Sequence, residues 1–259
     1  MSKHFEHPAF PQPCNDDVSL WRYMDFDKFN WMLENGRLFI PTADRLGDPW
    51  EGKTPQGYVN WWEQQIRAAA TDLQRATFAH NRDFLAKISQ AFRPYFYVSC
   101  WHMNEHENYA MWNCYTSGKE AVAVRTTYHQ LVNALPDYAY RGLVRYIDYA
   151  ADCLPSMNLF EYITHKDKFF SYEQEVRAVF LPAPDDKATV SHFTQHTFEL
   201  ASSPGFRVFA PPIDLSKLIN AVVLHPDSSD DFRRRIQDLC EKYSLPAPEL
   251  SRKSHPHAT

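Results

Sequence analysis

The chain has 259 residues, with 44% hydrophobic, 23% charged and 15% aromatic side chains. That composition fits a folded globular protein and excludes global disorder. Lys plus Arg number 27 against 32 Asp plus Glu, a net charge of −5, which argues against wholesale binding to nucleic acid or an anionic membrane but leaves a local basic groove open. No apolar run approaches the roughly 18 residues of a membrane span, and residues 1–17 have no secretory pattern, so the expectation is a soluble cytoplasmic protein. The five cysteines, Cys14, Cys100, Cys114, Cys153 and Cys240, are odd in number and widely spaced. Reduced thiols are expected, not a disulfide framework.

In chain order, residues 1–17 carry His4, His7, Pro8, Pro11 and Pro13 without helical or strand periodicity, and read as a flexible arm. Leu20–Tyr23 reads as a strand. Phe26–Asn35 reads as a helix with Phe26, Phe29, Met32 and Leu33 on one face, Asp25 at its N-cap and Gly36 as its stop. Arg37–Pro41 reads as a strand, and Asp44–Gly57 as a turn-rich loop in which Asp48, held extended before Pro49, lies close to Trp50 and Glu51. Tyr58–Phe92 reads as two helices broken near His80–Arg82, a helical insert over about 56–92.

Strands are expected at Tyr95–Trp101, Glu120–Thr126, Leu143–Tyr149, Glu175–Leu181, Phe206–Pro211, Asn220–His225 and near Leu250. Helices are expected at Asn108–Tyr115, Thr127–Leu135, Leu159–Phe169 and Ser229–Tyr243, and a frayed tail after about residue 252. Strands and helices mix without regular alternation. The expected fold is therefore α+β: a single domain over residues 18–252, with a split or strongly bent mixed β-sheet flanked by helices.

Four groups of residues could carry chemistry. Arg22 stands between Trp21 and Tyr23 on the first strand, as an anion clamp or an ion-pair partner. Asp48 and Glu51 place two carboxylates in the turn-rich loop, where they act in function or simply face solvent. Ser99 and Trp101 project from one face of their strand, Cys100 and His102 from the other, and Tyr109, Trp112 and Tyr115 recur at helical spacing nearby. Those aromatics suit either a core or a ligand pocket. Finally, strand alternation places Glu173, Glu175 and Arg177 on one face, with Lys166 and Lys168 upstream able to neutralise them.

Other chemistries are weaker. Cys100, His102, His106 and Cys114 lack the paired spacing of a zinc site, so no metal is predicted. There is no Gly-x-Ser-x-Gly elbow and no glycine-rich phosphate loop among only 7 glycines. Arg233-Arg234-Arg235 is balanced by Asp230, Asp231 and Asp238 and reads as a solvated helix face, which does not exclude nucleic acid elsewhere.

The motif order Leu20-Trp21-Arg22-Tyr23, Asp48-Pro49-x-Glu51-Gly52, Val98-Ser99-Cys100-Trp101, Met111-Trp112-x-x-Tyr115 and Tyr172-Glu173-x-Glu175-Val176-Arg177 resembles a widespread bacterial and phage family known as a domain of unknown function. The resemblance covers about residues 18–182 and suggests a role in bacterial conflict or phage defence. More distantly, Arg22, Ser99 and Glu173-x-Glu175, in that order, are similar to the signature of the ADP-ribosyltransferase fold, although Ser99-Cys100-Trp101 departs from the usual Ser-Thr-Ser and the insert has no counterpart. That similarity implies a small-molecule nucleotide, NAD, as substrate. It implies that Arg22, with Tyr23 and Trp101 beside it, holds the NAD phosphate or nicotinamide ribose, that Ser99 positions Glu175, and that Tyr109, Trp112 or Tyr115 stacks on nicotinamide. Glu175 would stabilise the cation that forms as nicotinamide leaves, and Glu173 would orient the acceptor. Two alternatives stay open: a metal-dependent nuclease or phosphoesterase built on Asp48, Glu51, Glu173 and Glu175, and a non-catalytic nucleotide-sensing or interaction module.

Overall fold

The computed structural model describes residues 7–48, 50–181, 189–190 and 208–252. Residues 1–6 of the arm, Pro49, Phe206 and the tail beyond 252 lie outside the described residues.

The first strand, β1 (Ser19–Asp25), runs straight into helix α1 (Phe26–Asn35), whose buried face is Phe26, Phe29, Met32 and Leu33 as the periodicity predicts. Asp25 occupies the N-cap position, but its carboxylate turns away and accepts from the amide and hydroxyl of Ser117, at 2.9 Å each. Gly36 ends α1 at φ 57°, a left-handed conformation that glycine adopts without the steric cost of a Cβ. The expected strand over 37–41 is reduced to single bridges, Arg37 to Pro212 and Ile40 to Phe209. A 3-10 turn (Ala43–Arg45) and the Gly47–Glu51 loop lead to helix α2 (Gln56–Ala68). Helix α3 (Asp72–Phe92) packs against α2, with Phe78 beside Trp62, and the break falls at residues 69–71, not near residue 80. Thr71 explains the position: its side chain accepts from the Gln74 amide and starts the second helix.

Strand β2 (Tyr97–Met103), helix α4 (Tyr109–Tyr115), strand β3 (Ala121–Thr127) and helix α5 (Tyr128–Ala134) follow. A capping box between Thr127 and Gln130 sets the start of α5. The strand expected at 143–149 is two short strands, β4 (Tyr140–Leu143) and β5 (Arg145–Ile147), in different sheets. The expected helix at 159–169 is likewise divided. One turn, α6 (Glu161–Thr164), gives way to β6 (His165–Asp167) and a 3-10 helix (Lys168–Glu173). Strand β7 (Glu175–Phe180) is buried along its whole length. The remaining elements are β8 (Thr189–Val190), β9 (Val208–Phe209), α7 (Leu215–Leu218), β10 (Ala221–Leu224), α8 (Asp230–Lys242) and β11 (Glu249–Leu250).

The main sheet has the order β11-β10-β3-β1-β2-β7-β4. Its pairs are antiparallel except β10 with β11, so the sheet is mixed and flanked by helices, as expected of an α+β chain. On one face, Leu20, Met24, Trp101, Val122, Val124, Val176 and Phe180 pack in one core with residues of α1, α5 and α8. On the other, Trp21, Tyr23, Ala121 and Ala123 pack with Met111 and Trp112 of α4, while Val98 and Val179 pack with Phe10 and Ile163.

From residue 7 onward the segment expected to be a flexible arm is docked. Phe10 is buried, the Leu143 amide donates to the Pro11 carbonyl at 2.7 Å, and the Gln12 side chain donates to the Arg141 carbonyl. A Cβ on Gly142 would meet the Phe10 backbone at 2.6 Å, so glycine is what lets this strap lie against β4. The strap covers the edge strand of the sheet, where unpaired backbone groups would otherwise invite association.

Candidate functional site

The site begins with a mismatch in strand pairing. β1 pairs with β3 along all seven of its residues, and β2 pairs with β7 from Tyr97 to His102. β1 and β2 pair only at Leu20 with Met103 and Trp21 with His102. Beyond Trp21 the two strands part, and a cavity of about 280 Å³ occupies the slot. This is near the lower end of the roughly 300–1,000 Å³ found for small-molecule sites. Both lips contribute: Arg22 and Tyr23 from β1, Cys100, Trp101 and His102 from β2, Glu175 from β7, with Glu173, Tyr115, Lys28 and Arg45 around them.

Paired residues across antiparallel strands share a face. His102 faces Glu175 and Cys100 faces Arg177, whereas Ser99 pairs with Ala178. Ser99 and Glu175 therefore point to opposite sides of the sheet, and Ser99 does not position Glu175. Ser99 is fully buried behind the cavity wall; its oxygen accepts from Trp101 Nε1 at 3.0 Å and lies 3.5 Å from an Arg22 terminal nitrogen. The other Arg22 terminal nitrogen donates to the Phe39 carbonyl at 2.9 Å, and the guanidinium stands 5.8 Å from the Trp101 ring. Among the described residues no carboxylate pairs with Arg22 within 4.0 Å. Burial lowers its pKa to about 10, the direction expected of a desolvated cation.

The other lip holds a chain of alternating charge. Glu51 receives both terminal nitrogens of Arg177, at 2.6 and 2.9 Å. Arg177 Nε donates to Glu175 at 2.7 Å, and Lys166 bridges Glu175 and Glu173 at 2.7 and 2.8 Å. The Tyr115 hydroxyl closes the chain on Glu173 at 2.9 Å. Three carboxyl groups thus face two cations, and the network becomes neutral when one carboxyl keeps its proton. Burial, with the hydrogen bond and charge of Glu175, raises the Glu173 carboxyl to about pH 7. Burial acts the same way on Glu175, but Arg177 and Lys166 overcome it and hold that carboxyl well below the usual range. Lys166 in turn is raised: burial works against its charge, and Glu175 outweighs burial.

Of the residues singled out by sequence, Arg22, Tyr23, Trp101, Tyr115, Glu173 and Glu175 meet at the cavity. Tyr23 accepts from the Asn108 amide, which fixes its ring at the wall. Glu173 does not share the strand of Glu175 and Arg177: it ends the preceding 3-10 helix, and Gln174 at φ 41° swings the chain between them. Trp112 is 1% exposed and packs edge-on against Tyr23 and His225, so it is core and not a stacking platform. Tyr109, on the same helix, is 43% exposed and does not line the cavity. Glu51 and Arg177 stand behind Glu175, and Asp48 accepts from the Trp50 amide within its own turn.

The four acids of the metal reading therefore do not converge. Glu51 and Glu175 have their oxygens on Arg177 and Lys166, and among the described residues no group of three His, Cys, Asp or Glu side chains is placed to hold a metal ion. His106 and Cys114 lie at the surface, apart from buried His102. On α8, Arg233 and Arg234 pair with Asp230 and Asp231, and Arg235 lies over the Phe26 ring, as a solvated face requires. Lys166 neutralises the acids as expected, whereas Lys168 pairs outside with Asp148. His102 was legible only as a metal candidate. In the fold its Nδ1 meets the Glu173 carbonyl at 2.5 Å and burial lowers its pKa, which favours the neutral ring.

No protein-family model matches the chain, and no curated protein is similar to it at a significant level. Among the described residues no helix is long and apolar enough to cross a membrane.

Proposed function

We propose that the cavity binds NAD and cleaves the bond between nicotinamide and ribose, as an ADP-ribosyltransferase or NAD glycohydrolase does. The observation that carries this reading is the pairing of unlike ends in one small cavity. Arg22, with no carboxylate partner among the described residues, lines it from the side of the sheet that Ser99 faces, and from the other side it is lined by two carboxyl groups whose ionisation is driven apart. Two such carboxyls suit one ionised and one proton-carrying role. The parting of β1 from β2, with Arg22 on one lip and Glu173-x-Glu175 on the other, supports an ADP-ribosyltransferase-like reading of the fold.

In this mechanism Arg22 and the nearby Lys28 and Arg45 hold the phosphates. The C1′–N bond breaks and its electron pair leaves with nicotinamide, so positive charge builds on the ribose. Ionised Glu175 opposes that charge in a site that water reaches poorly. The acceptor oxygen then bonds C1′, and its proton passes to Glu173, whose carboxylate is available above about pH 7. The size of the cavity fits the nicotinamide ribose end, with the adenylate outside.

The test is calorimetric titration with NAD, with nicotinamide release followed in the same samples. Wild type is expected to bind and release nicotinamide, Arg22→Ala to lose binding, and Glu175→Gln to bind without release. No binding at millimolar NAD would overturn the reading. Binding with no release from any variant would leave a nucleotide sensor in its place.

A further inference from the structure

Resting on that reading, we propose that Lys166 is the positioning residue of the carboxyl pair: its ammonium ties Glu173 and Glu175 together at the cavity and sets the pH at which Glu173 gives up its proton. The geometry is direct. Lys166 Nζ is 2.8 Å from Glu173 Oε2 and 2.7 Å from Glu175 Oε1, and no other described side chain bridges the two. The lysine is buried, and its ammonium lies 4.8 Å from the Phe170 ring, which closes the outer side. It reaches the pair from β6, a three-residue strand paired with β5 outside the main sheet.

The two acids differ in everything else that faces them. Glu175, on β7, also receives Arg177 Nε, and its own amide donates to the Tyr146 hydroxyl of β5. Arg177 is in turn locked by Glu51. Glu173 receives the Tyr115 hydroxyl from α4 and shares a hydrogen bond with Glu175 itself, and His102 of β2 meets its backbone carbonyl, not its carboxyl. Cys100 and His102 are the other titratable side chains on this face of β2, and burial leaves both uncharged near neutrality. With two cations, Glu175 gives up its proton first; Glu173, sharing one cation with its neighbour, keeps its proton longest. Take away Lys166 and Glu175 still has Arg177, whereas Glu173 is left beside an ionised carboxylate with no cation. An opposite charge at this range moves a carboxyl by about one to three pH units, so the Glu173 midpoint should rise by that amount.

The experiment is a pH titration of side-chain carboxyl carbons by nuclear magnetic resonance on the full chain, with Glu173→Gln assigning the signal. Lys166→Met is expected to move the Glu173 midpoint up by about one to three pH units. Lys166→Arg should leave it near that of wild type. In wild type the ε-carbon signal of Lys166 should follow the Glu173 titration, a readout that needs no variant to fold. A Lys166→Met protein that folds with an unmoved Glu173 midpoint overturns the proposal, as does a wild-type Lys166 signal blind to that titration. Lower melting temperature alone would mark Lys166 as structural. The titration uses free protein, so it decides the role of Lys166 even where NAD turnover fails. If turnover holds, the pH profile of nicotinamide release should shift to higher pH in Lys166→Met in step with the carboxyl midpoint.

Discussion

Replacing Arg177 by methionine tests how far the fold depends on its buried charge network. Arg177 and Glu51 are each 1% exposed at the side chain and meet through two bonds of 2.6 and 2.9 Å. Arg177→Met keeps most of the volume but leaves Glu51 buried without a cation. Removing one partner of a buried pair costs about 3–5 kcal/mol, because the other charge stays desolvated. For a domain of this size each kcal/mol moves the melting temperature by about 2–4 °C, so a fall of roughly 6–20 °C is expected. Glu51→Leu should cost a similar amount, since Arg177 then keeps the Ile163 carbonyl but, as carboxylate, only a Glu175 that it shares with Lys166. The double variant should recover part of the loss. Contacting residues couple by about 0.5–3 kcal/mol, and here the sign favours losing both. Urea unfolding at pH 7 of the four proteins supplies the cycle. Single variants that cost under about 1 kcal/mol, or effects that simply add, would refute the claim that the pair is a desolvated unit.

Arg22→Ala should abolish NAD binding while leaving the melting temperature little changed, because the desolvation of a cation with no carboxylate partner among the described residues offsets its bond to the Phe39 carbonyl and its contact with the Trp101 ring; parallel melting and titration check both halves. Glu173→Gln should flatten the pH dependence of stability. The folded carboxyl binds its proton up to about pH 7 against a reference of 4.5, so the native state holds more protons than the unfolded state in that window, and wild-type stability should fall as pH rises through it. Urea midpoints across that range, in both proteins, show whether the slope belongs to Glu173. Trp112→Phe should lower stability modestly and leave NAD affinity as it was, since the indole sits in the core between Tyr23 and His225; a tenfold or greater loss of affinity in a folded variant would return Trp112 to the ligand.

Much of the chain was legible where local chemistry decides the outcome. Helix α1 begins and ends where its apolar period and Gly36 place it, and β7 and α8 fall within a residue or so of expectation. Sequence reasoning failed where tertiary pairing decides. Residues 143–149 read as one strand, yet Val144 donates to the Glu175 carbonyl and the chain then leaves the main sheet for β6. Residues 159–169 have the composition of a helix, but a helix there would carry Lys166 away from the carboxyl pair it bridges. Residues 7–17 look like an arm because proline-rich chain has no period; it is the missing Cβ of Gly142, far along the sequence, that makes room for it.

The candidate site shows the same division. Residue types announced Arg22 and Glu173-x-Glu175, because charged groups amid apolar strands must be used or paired. Which of those two fates each one met depends on register. A single pair, His102 with Glu175, places Glu175 on the face of Cys100 and sends Ser99 to the other, and that removes the serine from the role its order in the chain suggested. The same register brings Arg177 back over Glu175, so that Glu51, more than a hundred residues earlier, reaches the carboxyl pair through one guanidinium. The loop that opens the helical insert lines the cavity at Gly47 and is also tied to it by charge through Glu51. A change that loosens Glu51 frees Arg177 to favour Glu175 more strongly and leaves Lys166 more fully to Glu173. Glu51→Gln should accordingly lower the Glu173 midpoint, the opposite sense to Lys166→Met, and carboxyl titration of the two variants side by side tests whether the network acts as one unit.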